Sequence, residues 1–233
     1  MKISDLIDVK IDNTPPQCDV CEDSRYLTEE TPEGRIFKGH CKCQVPIFNE
    51  KVWKYIYDQI PAMIRKNLSP DFKDIETAFR PSQLLAAKKL GKKNWIYGKS
   101  GVGKTLMTFE NLRRRLKNEK NKFIRARYYY GEDFDKLFID QYGDKGVRAE
   151  LESMRNLDLI IIDDIDKIGG MTEHKGYKLL NLFHTQIGDI PNIEITSNCS
   201  IKDFCSRIKD PTVSEPLNSR LIGHITPNEV EVV

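Results

Sequence analysis

The octapeptide Gly98-Lys99-Ser100-Gly101-Val102-Gly103-Lys104-Thr105 reads glycine, four residues, then Gly-Lys-Thr. That is the spacing of a loop that wraps the phosphates of a nucleotide. Its glycines let the backbone turn with amides pointing inward and no Cβ in the way. A helix beginning at its end would add the partial positive charge of its N-terminus. In that geometry Lys104 reaches the β- and γ-phosphates and Thr105 ligates Mg²⁺, so all eight residues are candidates for holding ATP. The competing reading is a glycine-rich turn that holds nothing. A strand-like Asn94–Tyr97 in front and a helical pattern behind argue against it.

Leu159-Ile160-Ile161-Ile162-Asp163-Asp164 is an apolar run that ends in acid. As a buried strand it would deliver carboxylates to the carboxyl edge of a sheet, where ligands bind in open α/β folds. Asp163 is expected to hold Mg²⁺ and Asp164 to polarise the attacking water. The competing reading makes Asp164 and Asp166 turn or helix-capping residues. Ile193-Glu194-Ile195-Thr196-Ser197-Asn198 is a further strand with a polar end. If it lies beside the Asp163 strand, Asn198 orients water or meets the γ-phosphate; otherwise it is an ordinary strand-ending turn. Arg220, in Asn218-Ser219-Arg220-Leu221, is placed either as a finger for a neighbouring subunit's nucleotide or as a surface arginine, with Arg207 its rival.

Cys18-x2-Cys21 and, some twenty residues on, Cys41-x-Cys43 make a second constellation. Two close pairs of thiolates suit tetrahedral zinc, and the turn-rich surroundings suit a small knuckle that a metal would stabilise. His40 could replace one cysteine. Without metal, these are four free thiols. Cys199 and Cys205 read as small core residues.

The elements that would position these groups alternate. Gln83–Leu90 reads as a helix, Asn94–Tyr97 as a strand, and the segment after Lys104 as a helix to about Leu116. Phe123–Tyr130 follows as a strand, then a mostly helical stretch from Glu132 to Met154, broken near Gly143 and Gly146. Leu157–Ile162 is a strand, Lys175–Gln186 a helix and Ile193–Ser197 a strand. Strands alternating with helices predict a parallel sheet covered on both faces. Ahead of this, Val52, Trp53, Ile56, Ile60, Met63 and Ile64 keep a helical period, with Pro61 expected to split the helix. The expected organisation is therefore a cysteine-rich module over 1–47, a helical linker over 48–80 and a P-loop domain over 81–233.

The 233 residues carry 37 Lys+Arg against 35 Asp+Glu, and the net charge of +2 gives no evidence of nucleic acid by itself. A basic run from Arg113 to Arg127 leads into Tyr128-Tyr129-Tyr130. It could follow a single strand by phosphate contact and stacking, or serve a helix C-terminus and a core. No apolar run is long enough to span a bilayer, and no signal peptide is evident, so a cytoplasmic protein without a membrane partner is expected.

Together Gly98–Thr105, Leu159–Asp164, Thr196-Ser197-Asn198 and Ser219-Arg220-Leu221 resemble the AAA+ helicase loaders of the DnaC/DnaI type and the related IstB transposition ATPase, over roughly residues 70–225. The cysteine segment resembles the zinc-containing helicase-binding region of DnaI-type loaders. The resemblance implies a parallel-sheet AAA+ ATPase domain without a helical lid, preceded by the zinc module and the helical linker. It implies slow ATP hydrolysis used as a switch, with Asn198 as sensor 1 and Arg220 as the trans finger. It implies homo-oligomers acting on a hexameric replicative helicase and on single-stranded DNA, the latter held by the Glu132–Met154 insertion. Asp164 departs from the glutamate common in this superfamily, and its shorter reach suits a switch. Competing readings are a transposition accessory ATPase, a nucleotide-holding adaptor without hydrolysis and, least favoured, a metabolic P-loop kinase.

Overall fold

The structure, a computed structural model, describes residues 18, 20, 24–32, 34–66, 68, 81–119, 122–139 and 145–230. At its centre stand five parallel strands: β3 (Lys93–Tyr97), β4 (Ala126–Tyr130), β5 (Leu159–Asp163), β6 (Asn192–Ser197) and β7 (Thr226–Glu229), in the order β4-β5-β6-β3-β7. Every residue of β5 is buried, as expected of a parallel strand covered on both faces. β7 lies at the edge and pairs with β3 alone, the one place in such a sheet where Pro227 is tolerated.

Strand alternation divides the apolar residues between two layers. Ile160 and Ile162 of β5 join Trp95, Ile193 and Ile195 in one core. Helices α5 (Gly131–Ile139), α6 (Lys145–Met154), α7 (Glu173–Leu182), α8 (Ile201–Cys205) and α9 (Pro211–His224) complete it with Phe134, Met154, Leu179, Phe204 and Leu217. Leu159 and Ile161 face the other way, onto Phe109, Leu112 and Leu116 of α4 (Lys104–Asn118). A shorter helix, α3 (Pro81–Lys89), packs on α4 through the cluster of Ala87, Ile96, Val102 and Met107. No helical bundle follows β7 among the described residues.

The strands at 93–97 and 192–197 and the helix after Lys104 stand where their patterns put them. The strand read over 123–130 begins later, at Ala126, and the helix read over 175–186 runs on into a π-helical turn, Phe183–Ile187. Part of the polar N-terminal segment forms an antiparallel hairpin, β1 (Tyr26–Thr31) with β2 (Gly34–His40), which the sequence pattern did not reveal. Pro61 does split the following helical stretch, into α1 (Val45–Gln59) and α2 (Ala62–Arg65).

The stretch read as a linker lies against the parallel sheet's own layer. Trp53, Ile56 and Ile60 of α1 share a core with Phe109, Leu112 and Leu116 of α4, and the Trp53 ring meets Phe109 edge-on at 6.4 Å. Asn49, only 1% exposed, supplies the polar half of this joint. Its Nδ2 donates to the carbonyls of Leu116, Glu119 and Lys122 at 3.2, 3.4 and 3.3 Å, and its Oδ1 accepts from the Ile124 amide at 3.1 Å. It thereby caps carbonyls that the end of α4 leaves without helical partners.

Candidate nucleotide site

The loop between β3 and α4 is shaped by glycine. Gly98, Gly101 and Gly103 have φ of +149°, +83° and +94°. A Cβ on Gly98 would stand 2.3 Å from the Val230 carbonyl oxygen, because Val230 follows the edge strand and donates its amide to Tyr97. Gly98 thus serves both the turn and the close approach of the neighbouring backbone. Lys99, Ser100 and Gly101 are exposed, whereas Val102 is buried and anchors the loop. Lys104, 5% exposed, folds back so that its Nζ donates to the carbonyls of Gly98 and Lys99 at 2.9 and 3.0 Å and to Asn198 Oδ1 at 3.0 Å. Desolvation by burial lowers its pKa, opposed by the charges of Asp164, Asp166 and Asp163.

Topology explains why Asn198 is there. β6 lies between the loop's strand β3 and the acidic strand β5, so its polar end opens between Lys104 and the carboxylates. The condition set on the sequence, a strand beside that of Asp163, is met.

Asp163 ends β5, 1% exposed. Its Oδ1 accepts from Thr105 Oγ1 at 2.9 Å and from Thr196 Oγ1 at 2.6 Å, and its Oδ2 from Tyr128 OH at 3.2 Å. Burial pushes its carboxyl up to about 6 against those hydrogen bonds, and the neighbouring charge of Asp164 adds to the rise. Thr105 and Asp163, the pair proposed from sequence for magnesium, are thus in direct contact. Two oxygen donors from different elements, one of them a buried carboxylate, are the chemistry that Mg²⁺ takes.

Asp164 adopts φ 51°, ψ 51°, a left-handed conformation that aspartate tolerates better than most residues. Its amide donates to Thr196 Oγ1 at 2.7 Å, while its half-buried carboxylate has no hydrogen-bond partner among the described residues. Desolvation and the charge of Asp166 raise its pKa. Asp166 serves a different purpose. It accepts from the Asn198 amide at 2.9 Å and from Asn198 Nδ2 at 2.8 Å. Burial alone would raise its pKa, but these bonds outweigh that and hold it below the usual carboxylate range.

Lys104, Thr105, Asp163, Asp164 and Asn198 therefore converge. A cavity of about 460 Å³ opens beside the loop, lined among others by Gly98, Lys99, Val102 and Asn198. Arg220 stays apart, on α9, where it contacts His184 Nδ1 and, at 3.1 Å, His224 Nε2. Its rival Arg207 is committed within the chain, donating to the carbonyls of Asp166 and Ile168 at 2.8 and 3.1 Å. Thr196, Tyr128 and Asp166 belong to the site, and the sequence reading gave none of them a role there. Thr196 sits in the quoted motif, but only the strand register reveals that its hydroxyl bridges Asp163 and Asp164.

Several cations of the basic run are paired within the chain, Lys122 and Arg125 while staying exposed. Arg113 is buried on Glu110, which also takes Arg114 Nε at 2.6 Å; Lys122 and Arg125 hold Asp158; Tyr128 and Tyr129 are core residues. Of the helical insertion proposed to hold DNA, α5 and α6 are described and residues 140–144 are not.

Just ahead of α1, the sulfurs of Cys18, Cys41 and Cys43 all lie within 4.8 Å of one another, and Cys18 Sγ is 3.7 Å from Cys41 Sγ. Thiolates about 2.3 Å from one tetrahedral ion stand about 3.8 Å apart. His40 does not join them; its ring lies 5.2 Å from Tyr26 and 5.8 Å from Phe123. Cys21 lies outside the described residues.

A glycine loop with its lysine, a strand-end aspartate on the loop's threonine, and a polar strand inserted between them define a P-loop nucleotide-binding domain of the AAA+ type. The family model for the bacterial DnaA ATPase domain matches residues 76–212, more than half of the chain, and the chain belongs to that family. It is 31% identical over 109 residues to the chromosomal replication initiator protein DnaA of Mycoplasma genitalium, a match covering 45% of this chain and 24% of that protein. Domain III of the Thermotoga maritima replication initiation protein DnaA shares the fold at TM-score 0.52 and 22% identity, over 70% of this chain and 68% of that one. A crystal structure of the DnaC helicase loader aligns at TM-score 0.46 and 18% identity, over 64% of this chain and 86% of that chain. Among the described residues, no helix is long and apolar enough to cross a membrane.

Proposed function

We propose that this chain binds ATP with Mg²⁺ and hydrolyses it slowly, and that it uses the cycle as a switch to load a hexameric replicative helicase onto single-stranded DNA. One observation carries the nucleotide chemistry: Thr105 and Asp163 meet at 2.9 Å beside a lysine held by the loop's own carbonyls. Lys104 exchanges those carbonyls for phosphate oxygens. Thr105 and Asp163 hold Mg²⁺, which supplies charge neutralisation on the phosphates. Asp164, half-buried and with no hydrogen-bond partner for its carboxylate among the described residues, accepts from the attacking water. Arg220, whose contacts are two histidines, completes the site of a neighbouring copy in a homo-oligomer.

Replication is the setting named for the relatives, and the loader role rests on the motifs together with the cysteine cluster. With Cys21 as fourth ligand, Cys18, Cys41 and Cys43 hold Zn²⁺ and fix the hairpin as a docking module for the helicase. A transposition accessory ATPase has no call for such a module, which sets that reading second. The working compartment is the cytoplasm.

The test is capture of a hexameric replicative helicase by the purified protein, with and without ATP, alongside ATP turnover measured with and without single-stranded DNA. Capture that disappears when Cys41→Ser is introduced supports the loader. DNA-stimulated turnover with no capture under any nucleotide condition refutes it and favours the transposition-type ATPase. A Lys104→Ala variant with undiminished nucleotide affinity and turnover would sink the site assignment itself.

A further inference from the structure

The side-chain amide of Asn198 has two ends, and the structure commits each. Nδ2 donates to Asp166 Oδ2 at 2.8 Å, and Oδ1 accepts from Lys104 Nζ at 3.0 Å. The backbone amide of Asn198 gives Asp166 a second bond, to Oδ1, at 2.9 Å, so the carboxylate grips the residue at two points. An ionised carboxylate only accepts, so it selects the donor end of the amide and turns the carbonyl end toward the loop. Asp166 is itself fixed from behind. Arg207 donates to its carbonyl and to that of Ile168, and the Arg207 guanidinium lies 5.8 Å from the Phe204 ring of α8. Arg207 to Asp166 to Asn198 to Lys104 is therefore one continuous chain of contacts. It runs from the end of α8, across the turn after β5, to the phosphate-binding lysine.

We infer that Asp166 is a positioning residue which sets the polarity of Asn198, so that Asn198 works on Lys104 as an acceptor and not on the γ-phosphate as a donor. The inference rests on the ATP hydrolysis proposed above. Lys104 needs a fixed place more than most P-loop groups, because a flexible ammonium has three equivalent donors and a choice of carbonyls. Asn198 Oδ1 removes that freedom. Arg207 maintains the arrangement from a distance, through the carbonyls of Asp166 and Ile168.

The discriminating variant is Asp166→Asn, which keeps shape and volume. Its Oδ1 can still accept the Asn198 amide proton, but its Nδ2 would face Asn198 Nδ2. Asn198 relieves the clash by flipping, which turns its NH₂ toward the ammonium of Lys104. The expected result is a fall in kcat of roughly 10-fold, the ordinary scale for losing an orienting partner, while affinity for a non-hydrolysed ATP analogue changes little. The exchanged pair Asp166→Asn with Asn198→Asp rebuilds the bond with an acceptor toward Lys104, and kcat recovers most of the loss. Unchanged or higher kcat in Asp166→Asn overturns the inference, as does a double variant no better than its parents.

A second measurement is independent of turnover. The side-chain NH₂ of Asn198, observed by NMR in the free protein, should exchange slowly with solvent and lose that protection in Asp166→Asn. An unprotected NH₂ in the parent protein overturns the inference whatever the kinetics. A parent that binds ATP and never hydrolyses it, yet shows the protected NH₂, refutes the proposed activity and leaves the polarity of Asn198 established.

Discussion

Thr196→Val tests whether a single hydroxyl holds the acidic edge together. Valine has the shape of threonine, so packing is preserved and only the hydroxyl is lost. Two bonds vanish: the 2.6 Å donation to Asp163 Oδ1 and the 2.7 Å acceptance from the Asp164 amide. The site is 0% exposed, so water cannot replace them. A hydrogen bond to a charged group contributes about 2 kcal/mol, and an orphaned buried amide costs about 1 kcal/mol or more. The sum is roughly 3 kcal/mol, less the small gain from burying a methyl group. At about 2–4 °C per kcal/mol for a domain of this size, the melting temperature should fall by roughly 6–12 °C. The measurement belongs at about pH 8, above the Asp163 value of about 6, where the carboxylate is ionised in the parent. Thr196→Ser keeps the hydroxyl and loses one methyl, about 1 kcal/mol. Valine and serine variants that melt together would refute the bridge. So would a valine variant that matches the parent.

Asn49→Ala should remove roughly 2 kcal/mol of stability, because it orphans the Ile124 amide and the carbonyls ending α4; amide exchange localised at Ile124 should accelerate, and unchanged exchange there would count against the cap. Glu194, wholly buried among Asn94, Asn111 and Arg115, has its pKa raised by desolvation from 4.5 to about 8, opposed by Arg115 and the asparagines. The folded state then binds the proton more tightly than the unfolded state, so this residue makes stability fall as pH rises from about 4.5 to 8. Glu194→Gln should flatten that part of the denaturation profile, and an identical slope in the variant would show that Glu194 does not titrate there. Cys41→Ser should lower the zinc measured by elemental analysis from about one ion per chain; background zinc in the parent ends the metal assignment.

The parts of this chain that could be read from its residues are those governed by local rules. A glycine at positive φ, a buried strand of isoleucines and an acidic strand end each announce themselves within a few positions, and Gly98–Thr105 and Asp163 stand where those rules put them. Asn198 needed one further fact, the neighbour of its strand, which sequence alone left as a condition. What resisted reading was decided by pairing across the sheet. Tyr128 stood open between core and nucleic acid until β4 was seen to lie beside β5, where its hydroxyl meets Asp163. The pairing of the basic run from Arg113 was hidden for a related reason. Its partners, Glu110, Asp158 and Glu194, are scattered along the chain and assemble only on folding.

The same logic applies to α1, whose apolar period is visible but whose partner is not. The reading of 48–80 as a helical linker named no partner for it, and Trp53 and Asn49 fix this helix to α4, the helix that begins at Lys104. The cysteine cluster ends where α1 begins, since Cys43 precedes Val45 by two positions. The cysteine cluster is therefore joined, through α1, to the far end of the helix that begins at the loop's lysine. Trp53 and Asn49 join α1 to α4 as a packed pair, so a displacement of α1 would be felt along α4.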